Sequence, residues 1–168
     1  MYDPRDRALN LVGAFALAAA DAVRRAAERS LGQGGSAPAA LVTIEAYPGR
    51  SIEQLRRPLG LSQPGALRLV ERLEHEGWVE RRAADGRGAA RALTKSGQRA
   101  VAELLEARDE SLRRLLNDLP DAQLADMSNA ARAVLAARTD SRLDLERFCR
   151  LCHRDHCQDC PTAGAADE

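Results

Sequence analysis

Apolar positions in this chain recur at helical spacing almost throughout, and the pattern switches to short extended runs in one stretch, residues 62–93. Leu9, Val12, Phe15 and Val23 lie at helical spacing in an alanine-rich segment and predict a first helix over 5–31. Gly32, Gly34, Gly35, Ser36 and Pro38 then break the pattern. Leu41, Ile44 and Ala46 predict a short second helix that stops at Pro48-Gly49. Ser51 with Gln54 three residues later has capping-box spacing and opens a third helix, with Ile52, Leu55 and Leu59 on one face and Gly60 at its end. Pro58 removes a helix hydrogen bond near that end and shortens the last turn.

Ser62 caps a fourth helix, with Gln63 first and Pro64 still inside the first turn, where a missing N–H costs little. Ala66, Leu69, Val70 and Leu73 recur at i, i+3, i+4 and i+7 and face a core, leaving Gln63, Leu67, Arg68, Glu71 and Arg72 outside. Gly77 closes the helix. The run Trp78 to Arg82 is extended, Asp85-Gly86-Arg87-Gly88 is a turn, and Arg91-Ala92-Leu93 returns to Thr94 at the start of the next helix. Context predicts the second strand, because alanine and arginine are poor strand formers.

A long helix follows from Thr94 to Leu119, with Val101, Leu104, Leu105, Leu112, Leu115, Leu116 and Leu119 as its stripe. Another starts with Pro120 near its first position and turns Leu124, Met127, Ala131, Val134 and Leu135 inward, prolonged by Leu143, Leu145 and Phe148. These helices and the first carry more apolar stripe than one small winged domain covers, which points to a second copy of the chain. The fold class is therefore mainly α, a winged helix-turn-helix with a two-stranded β-hairpin wing and N- and C-terminal dimerisation helices. Its expected parts are a dimerisation helix over 1–34, a DNA-binding region over 36–94, dimerisation helices over 95–148, a metal-binding tail over 149–160 and a disordered end over 161–168.

Composition agrees with a helical core: aromatics make up only 3% of the 168 residues. Formal net charge is zero, which argues against a wholly basic nucleic-acid protein, yet residues 50–91 hold nine arginines against six acids. The apolar run from Leu9 to Ala20 is too short to span a bilayer, carries acids beside its arginines and continues into a helical pattern. A cytoplasmic protein with reduced cysteines and no membrane partner is expected.

A capped helix, a tight turn at Gly60 and a second helix over 62–77 make the geometry that enters a DNA major groove. In that frame Gln63 pairs with adenine, Arg68 or Arg72 with guanine or phosphate, and Leu67 offers apolar contact such as to a thymine methyl. Arg87, between two glycines at the hairpin tip, suits a narrow minor groove, while Arg81, Arg82 and Arg91 flank it and meet phosphates. An ordinary helical hairpin with a solvated turn has the same spacing, and the arginine-rich tip weighs against it.

The order Ser51-Ile52-Glu53-Gln54-Leu55, Gly60-Leu61-Ser62-Gln63-Pro64, Leu69-Val70-Glu71-Arg72-Leu73-Glu74-His75-Glu76-Gly77-Trp78-Val79, Asp85-Gly86-Arg87 and Leu93-Thr94-Lys95-Ser96-Gly97 resembles the MarR family of transcriptional regulators over about residues 5–140. The resemblance implies a winged-helix dimer whose recognition helices enter successive major grooves while the wings take adjacent minor grooves. It makes Asp85 and Arg87 the wing pair, the acid orienting the arginine. Gly65 and Leu67 depart from the family pattern, standing where small hydroxyl residues are usual and removing phosphate or base hydrogen bonds.

Cys149-x2-Cys152-x4-Cys157-x2-Cys160 is a metal signal independent of any family, since two CxxC pairs can bring four thiolates around one tetrahedral ion. Zinc is the first expectation, an iron–sulfur cluster the alternative, and a disulfide switch the third; His153 and His156 either replace a cysteine or stand by. Four sulfurs leave no open position for catalysis, and no enzyme is expected. The sequence thus reads as a homodimeric, sequence-specific regulator, a repressor by expectation, on a pseudopalindromic duplex. Its DNA-binding residues are Ser62, Gln63, Pro64, Leu67, Arg68, Arg72, Arg82, Asp85, Arg87 and Arg91. A small molecule, metal or oxidant is the expected effector. The rivals are a winged-helix protein–protein adaptor without DNA binding and a redox or iron–sulfur sensor.

Overall fold

The computed structural model describes residues 3–82, 90–157 and 160. The chain runs through α1 (Pro4–Leu31), α2 (Ala37–Ala46), α3 (Ile52–Leu59), α4 (Gln63–His75), β1 (Val79–Arg82), β2 (Ala90–Leu93), α5 (Lys95–Leu116), α6 (Asp121–Ala136) and α7 (Arg142–Phe148) before a 3-10 turn at Arg154–His156. This is the mainly helical architecture with one antiparallel hairpin that the hydrophobic periods imply.

The core collects where α2, α3, α4 and α5 meet. Leu41, Ile44, Leu55, Leu73, Val101 and Leu104 are its largest fully buried side chains, and Ala27, Leu31, Val79 and Leu93 join it from α1 and the hairpin. α2 is buried along its length from Ala37 to Ile44, as expected of a helix that is apolar all round. Thr43, the polar residue within it, donates its hydroxyl to the Ala39 carbonyl at 2.7 Å and so leaves no unmade bond.

Local signals in the sequence fix the helix ends. Ser51 and Gln54 form a complete capping box, Ser62 and Thr94 accept from the backbone N–H three residues on, and Gly60 turns α3 into α4 at φ 65°. Pro58 is accommodated inside the last turn of α3 and is buried.

The hairpin pairs Val79 with Leu93, Glu80 with Ala92, Arg81 with Arg91 and Arg82 with Ala90. All four residues of β2 are buried, so it lacks the alternation of a half-exposed strand. That pattern explains its poor strand propensity: its pairing partner and the body of the domain hold it, not its own side chains. Asp85 and Arg87, assigned to the wing from the sequence, lie outside the described residues.

The second half of the chain corrects several expectations. α5 ends at Leu116, short of Leu119, and Pro120 is the N-cap of α6, one position before the expected place. Leu143, Leu145 and Phe148 do not prolong α6; Ser141 caps a separate α7, accepting from the Asp144 N–H at 3.3 Å. No residue of α6 is buried within the chain. Leu124 and Val134, expected inward, are 39% and 62% exposed, and Leu9, Val12 and Phe15 on α1 are exposed as well. Among the described residues no helix is long and apolar enough to cross a membrane.

Candidate nucleic-acid interface and thiol cavity

α4 is held by one face and presents the other. Ala66, Leu69, Val70 and Leu73 sink into the core, which turns Gln63, Leu67, Arg68, Glu71 and Arg72 to solvent. Ser62 spends its hydroxyl on the helix start, accepting from Gly65 N at 3.2 Å, and Pro64 stays exposed in the first turn. Leu67 is an apolar side chain left 41% exposed. Arg68 and Arg72 make no hydrogen bond or ion pair with the described residues, whereas Arg56, Arg57 and Arg82 are each engaged by a glutamate. Two unengaged guanidiniums flanking an exposed leucine on one helix face form a surface able to take base edges and phosphates.

The hairpin base is fastened to α4 and α5 by three contacts. Thr94 N donates to the Trp78 carbonyl at 3.0 Å, and the hydroxyls of Thr94 and Ser96 both donate to the Gly77 carbonyl, at 2.6 and 2.8 Å. Gly97 completes the joint, because a β-carbon there would sit 2.1 Å from the Trp78 oxygen. The Leu-Thr-x-Ser-Gly run is thus a mechanical hinge plate that sets the hairpin's angle to α4.

Glu74, on the inner edge of α4, accepts from Arg91 Nε at 2.9 Å and from Arg81 Nε at 3.2 Å. Arg91 was expected to meet phosphate; it is only 5% exposed and turned into the domain. Its cross-strand pairing with Arg81 brings two guanidiniums to one carboxylate, which settles the repulsion between them and uses Arg91 inside. Arg82 remains outward, its side chain 63% exposed and joined to Glu80 at 2.8 Å.

The cysteine-bearing tail folds back against the base of the helix-turn-helix. Arg50, in the segment between α2 and α3, donates through Nη1 to Glu146 of α7 at 2.7 Å, with a second bond from Nη2 to the other oxygen. Its guanidinium also lies 3.8 Å from the Tyr47 ring centroid, and Arg154 donates to the Tyr47 hydroxyl at 2.6 Å from the far side of the tail. Leu145 is buried and Leu151 packs against the core.

None of the four cysteines is in a disulfide. They line one cavity of about 320 Å³, together with Tyr47, Arg142, Leu145 and Arg154. Cys149 hydrogen-bonds to Cys152, which with the charge of Arg108 outweighs the opposing effect of burial and brings the Cys152 thiol down to about 7. Partial burial and the neighbouring Cys160 raise that of Cys157. The cavity therefore brings together the four sulfurs singled out by their spacing, with one of them primed to ionise.

His153 and His156 pair with Asp109 of α5, their Nδ1 atoms 3.0 and 3.1 Å from its Oδ2. The other carboxylate oxygen, Oδ1, accepts from Arg108 Nη1 at 2.5 Å. Burial by itself would raise the Asp109 carboxyl, but the bonds from His153 and Arg108 hold it below the usual range. Asp109 carried no sequence signal, being one acid among many on a charged helix, and Tyr47 and Arg50 stand in no motif.

A capped helix pair, an outward arginine face and an antiparallel hairpin locked to the next helix define a winged helix-turn-helix protein. Residues 34–88 match the MarR family profile. A curated relative, the transcriptional repressor MprA of Escherichia coli strain K12, is 32% identical over 109 residues, which is 62% of this chain and 59% of that protein; the chain thus spans about three-fifths of the relative's length. Among solved structures, a MarR family protein from Bacillus stearothermophilus superposes with a TM-score of 0.67 at 20% identity, covering 80% of this chain and 96% of that one. A MarR family transcriptional regulator from Rhodococcus sp. RHA1 gives 0.60 at 20% identity, covering 80% and 97%.

Proposed function

We propose that this protein is a homodimeric, sequence-specific DNA-binding transcription regulator acting as a repressor, without enzymatic activity. The observation that carries the reading is the outward face of α4, where Gln63, Leu67, Arg68 and Arg72 are exposed while Glu74 keeps Arg91 inside. On this reading α4 enters a major groove and the hairpin tip, with Asp85 orienting Arg87, takes the adjacent minor groove; Arg82 meets phosphate. The match of residues 34–88 to the MarR family and a relative named as a repressor support it.

A second copy of the chain suits the exposed apolar residues of α1 and α6, which lie outside the winged domain at both ends of the sequence. A dimer carries two recognition helices and so favours a pseudopalindromic site with half-sites about one helical turn apart. The four-cysteine cavity is the place for one tetrahedral zinc ion, with an iron–sulfur cluster as the alternative occupant.

Selection of bound fragments from genomic DNA, followed by titration of the recovered duplex at several salt concentrations, tests the reading. Affinity is expected to fall steeply with salt. Retention of no fragment would leave the adaptor reading in its place. Metal analysis of protein purified without added metal checks the tail, where iron in place of zinc would assign the cluster.

A further inference from the structure

We propose that Asp109, His153 and His156 form a second divalent-metal site, separate from the four-cysteine cavity and open to solvent on one side. The donors come from two distant parts of the chain, the middle of α5 and the 3-10 turn of the tail, and their ligand atoms all lie within 4.8 Å of one another. Two imidazole nitrogens with one carboxylate oxygen is a donor set suited to zinc and its first-row neighbours, with further positions left to water.

The spacing of each imidazole from the carboxylate is nearly that of a bound state. Metal–ligand bonds of about 2.0–2.1 Å in tetrahedral geometry place neighbouring donors about 3.3 Å apart. The two Nδ1 atoms stand 3.0 and 3.1 Å from Asp109 Oδ2, so each needs to move only a few tenths of an ångström. Arg108 holds the opposite oxygen and fixes the carboxylate so that Oδ2 faces both rings, the role a supporting hydrogen bond plays around metal ligands. The rings lie 3.8 Å apart at 50°, already converging. Glu45 lies close enough to feel the charges of both Asp155 and His153.

The two clusters line different cavities. Asp109 and His156 line a cleft of about 420 Å³ between the end of α5 and the start of α6, bordered by Leu112, Leu116 and Leu124. None of its lining residues belongs to the cavity lined by the cysteines. A metal held by Asp109 and the histidines therefore exchanges water with the α5–α6 cleft, whereas the thiolate site is closed by its own four sulfurs. Because the tail supplies both histidines and α5 the acid, an ion there fastens the tail to the helix that carries the hairpin joint at Gly97.

Equilibrium dialysis of the full chain against cobalt(II) tests the site, with Asp109→Asn and His156→Ala beside the wild type. His156 is mostly exposed, so its replacement leaves folding intact even if Asp109→Asn does not. The wild type is expected to bind about one equivalent per chain more than either variant, and that extra ion is expected to show visible ligand-field bands with no near-ultraviolet thiolate charge transfer. Equal binding by wild type and His156→Ala overturns the proposal. So does thiolate charge transfer in the wild-type-minus-variant spectrum, which would make the histidines part of the cysteine centre. Neither readout depends on DNA binding or on what fills the cysteine cavity.

Discussion

Arg50 and Glu146 are 96 positions apart and meet as a two-bond fork that ties the segment before α3 to the last helix. Glu146 is 7% exposed and also accepts from Arg142 Nε at 3.2 Å. Removing Arg50 strands a buried carboxylate, so Arg50→Ala is expected to cost about 3 kcal/mol in urea unfolding, and Glu146→Gln less, because it removes the charge together with its need for a partner.

The same pair sets an acid limit. Burial alone would raise the Glu146 carboxyl, but the bonds and charge of Arg50, then those of Arg142, hold it below its ordinary 4.5. A folded value below the unfolded one contributes stability that is complete above the unfolded value and is lost as pH falls through the folded one. Asp109 is depressed likewise and acts in the same direction. Thermal midpoints of the wild type are therefore expected to drop on acidification below about pH 5, and Glu146→Gln to flatten that part of the profile.

Gly97 has no room for a side chain: the Trp78 carbonyl oxygen would be 2.1 Å from its β-carbon. Alanine favours helices over glycine by about 1 kcal/mol, so at an open site the substitution would stabilise. Here the hairpin must move, and Gly97→Ala is expected to destabilise by about 2 kcal/mol and to weaken DNA binding beyond that loss. Chemical denaturation and anisotropy titration on the same samples separate the two effects.

Three arginines near the recognition helix are expected to behave in two ways. Arg68→Ala and Arg72→Ala leave stability within about 0.5 kcal/mol but weaken DNA binding, and a phosphate contact is recognised by a salt slope lower by about one ion. Arg91→Ala removes the buried one of the two arginines that Glu74 pairs with and is expected to lower the unfolding free energy by roughly 2 kcal/mol. Equal stability losses for all three would overturn this division.

Cys152, brought down to about 7 by Cys149 and Arg108, is expected to react first with iodoacetamide in metal-free protein. Its labelling rate, followed by peptide mass spectrometry, should rise through pH 7, while Cys157, whose thiol is raised, lags. Arg108→Ala should move the Cys152 profile to higher pH.

Features written in short sequence windows were legible without the structure. Ser51 with Gln54, Ser62 and Thr94 cap as their spacing says, and Ala66, Leu69, Val70 and Leu73 turn inward as their period says. The exposed placement of Gln63, Leu67, Arg68 and Arg72 follows from those same four anchors. Arg91 was misjudged because its charge was visible but Glu74, seventeen residues away, was not. α6 was misjudged because an apolar stripe names a buried face without naming what buries it; inside one chain Leu124 and Val134 stay exposed.

Local features are written in the chain alone: where helices start and stop, which side of α4 is held, and that four cysteines in two CxxC pairs belong together. The path of the tail comes from the folded core, and with it the meeting of Glu146 with Arg50, of Arg154 with Tyr47, and of both histidines with Asp109. The reason is physical: caps and periods act over one or two helical turns, whereas a buried ion pair or a converging ligand set depends on chain segments that meet only after the core of α2 to α5 has closed.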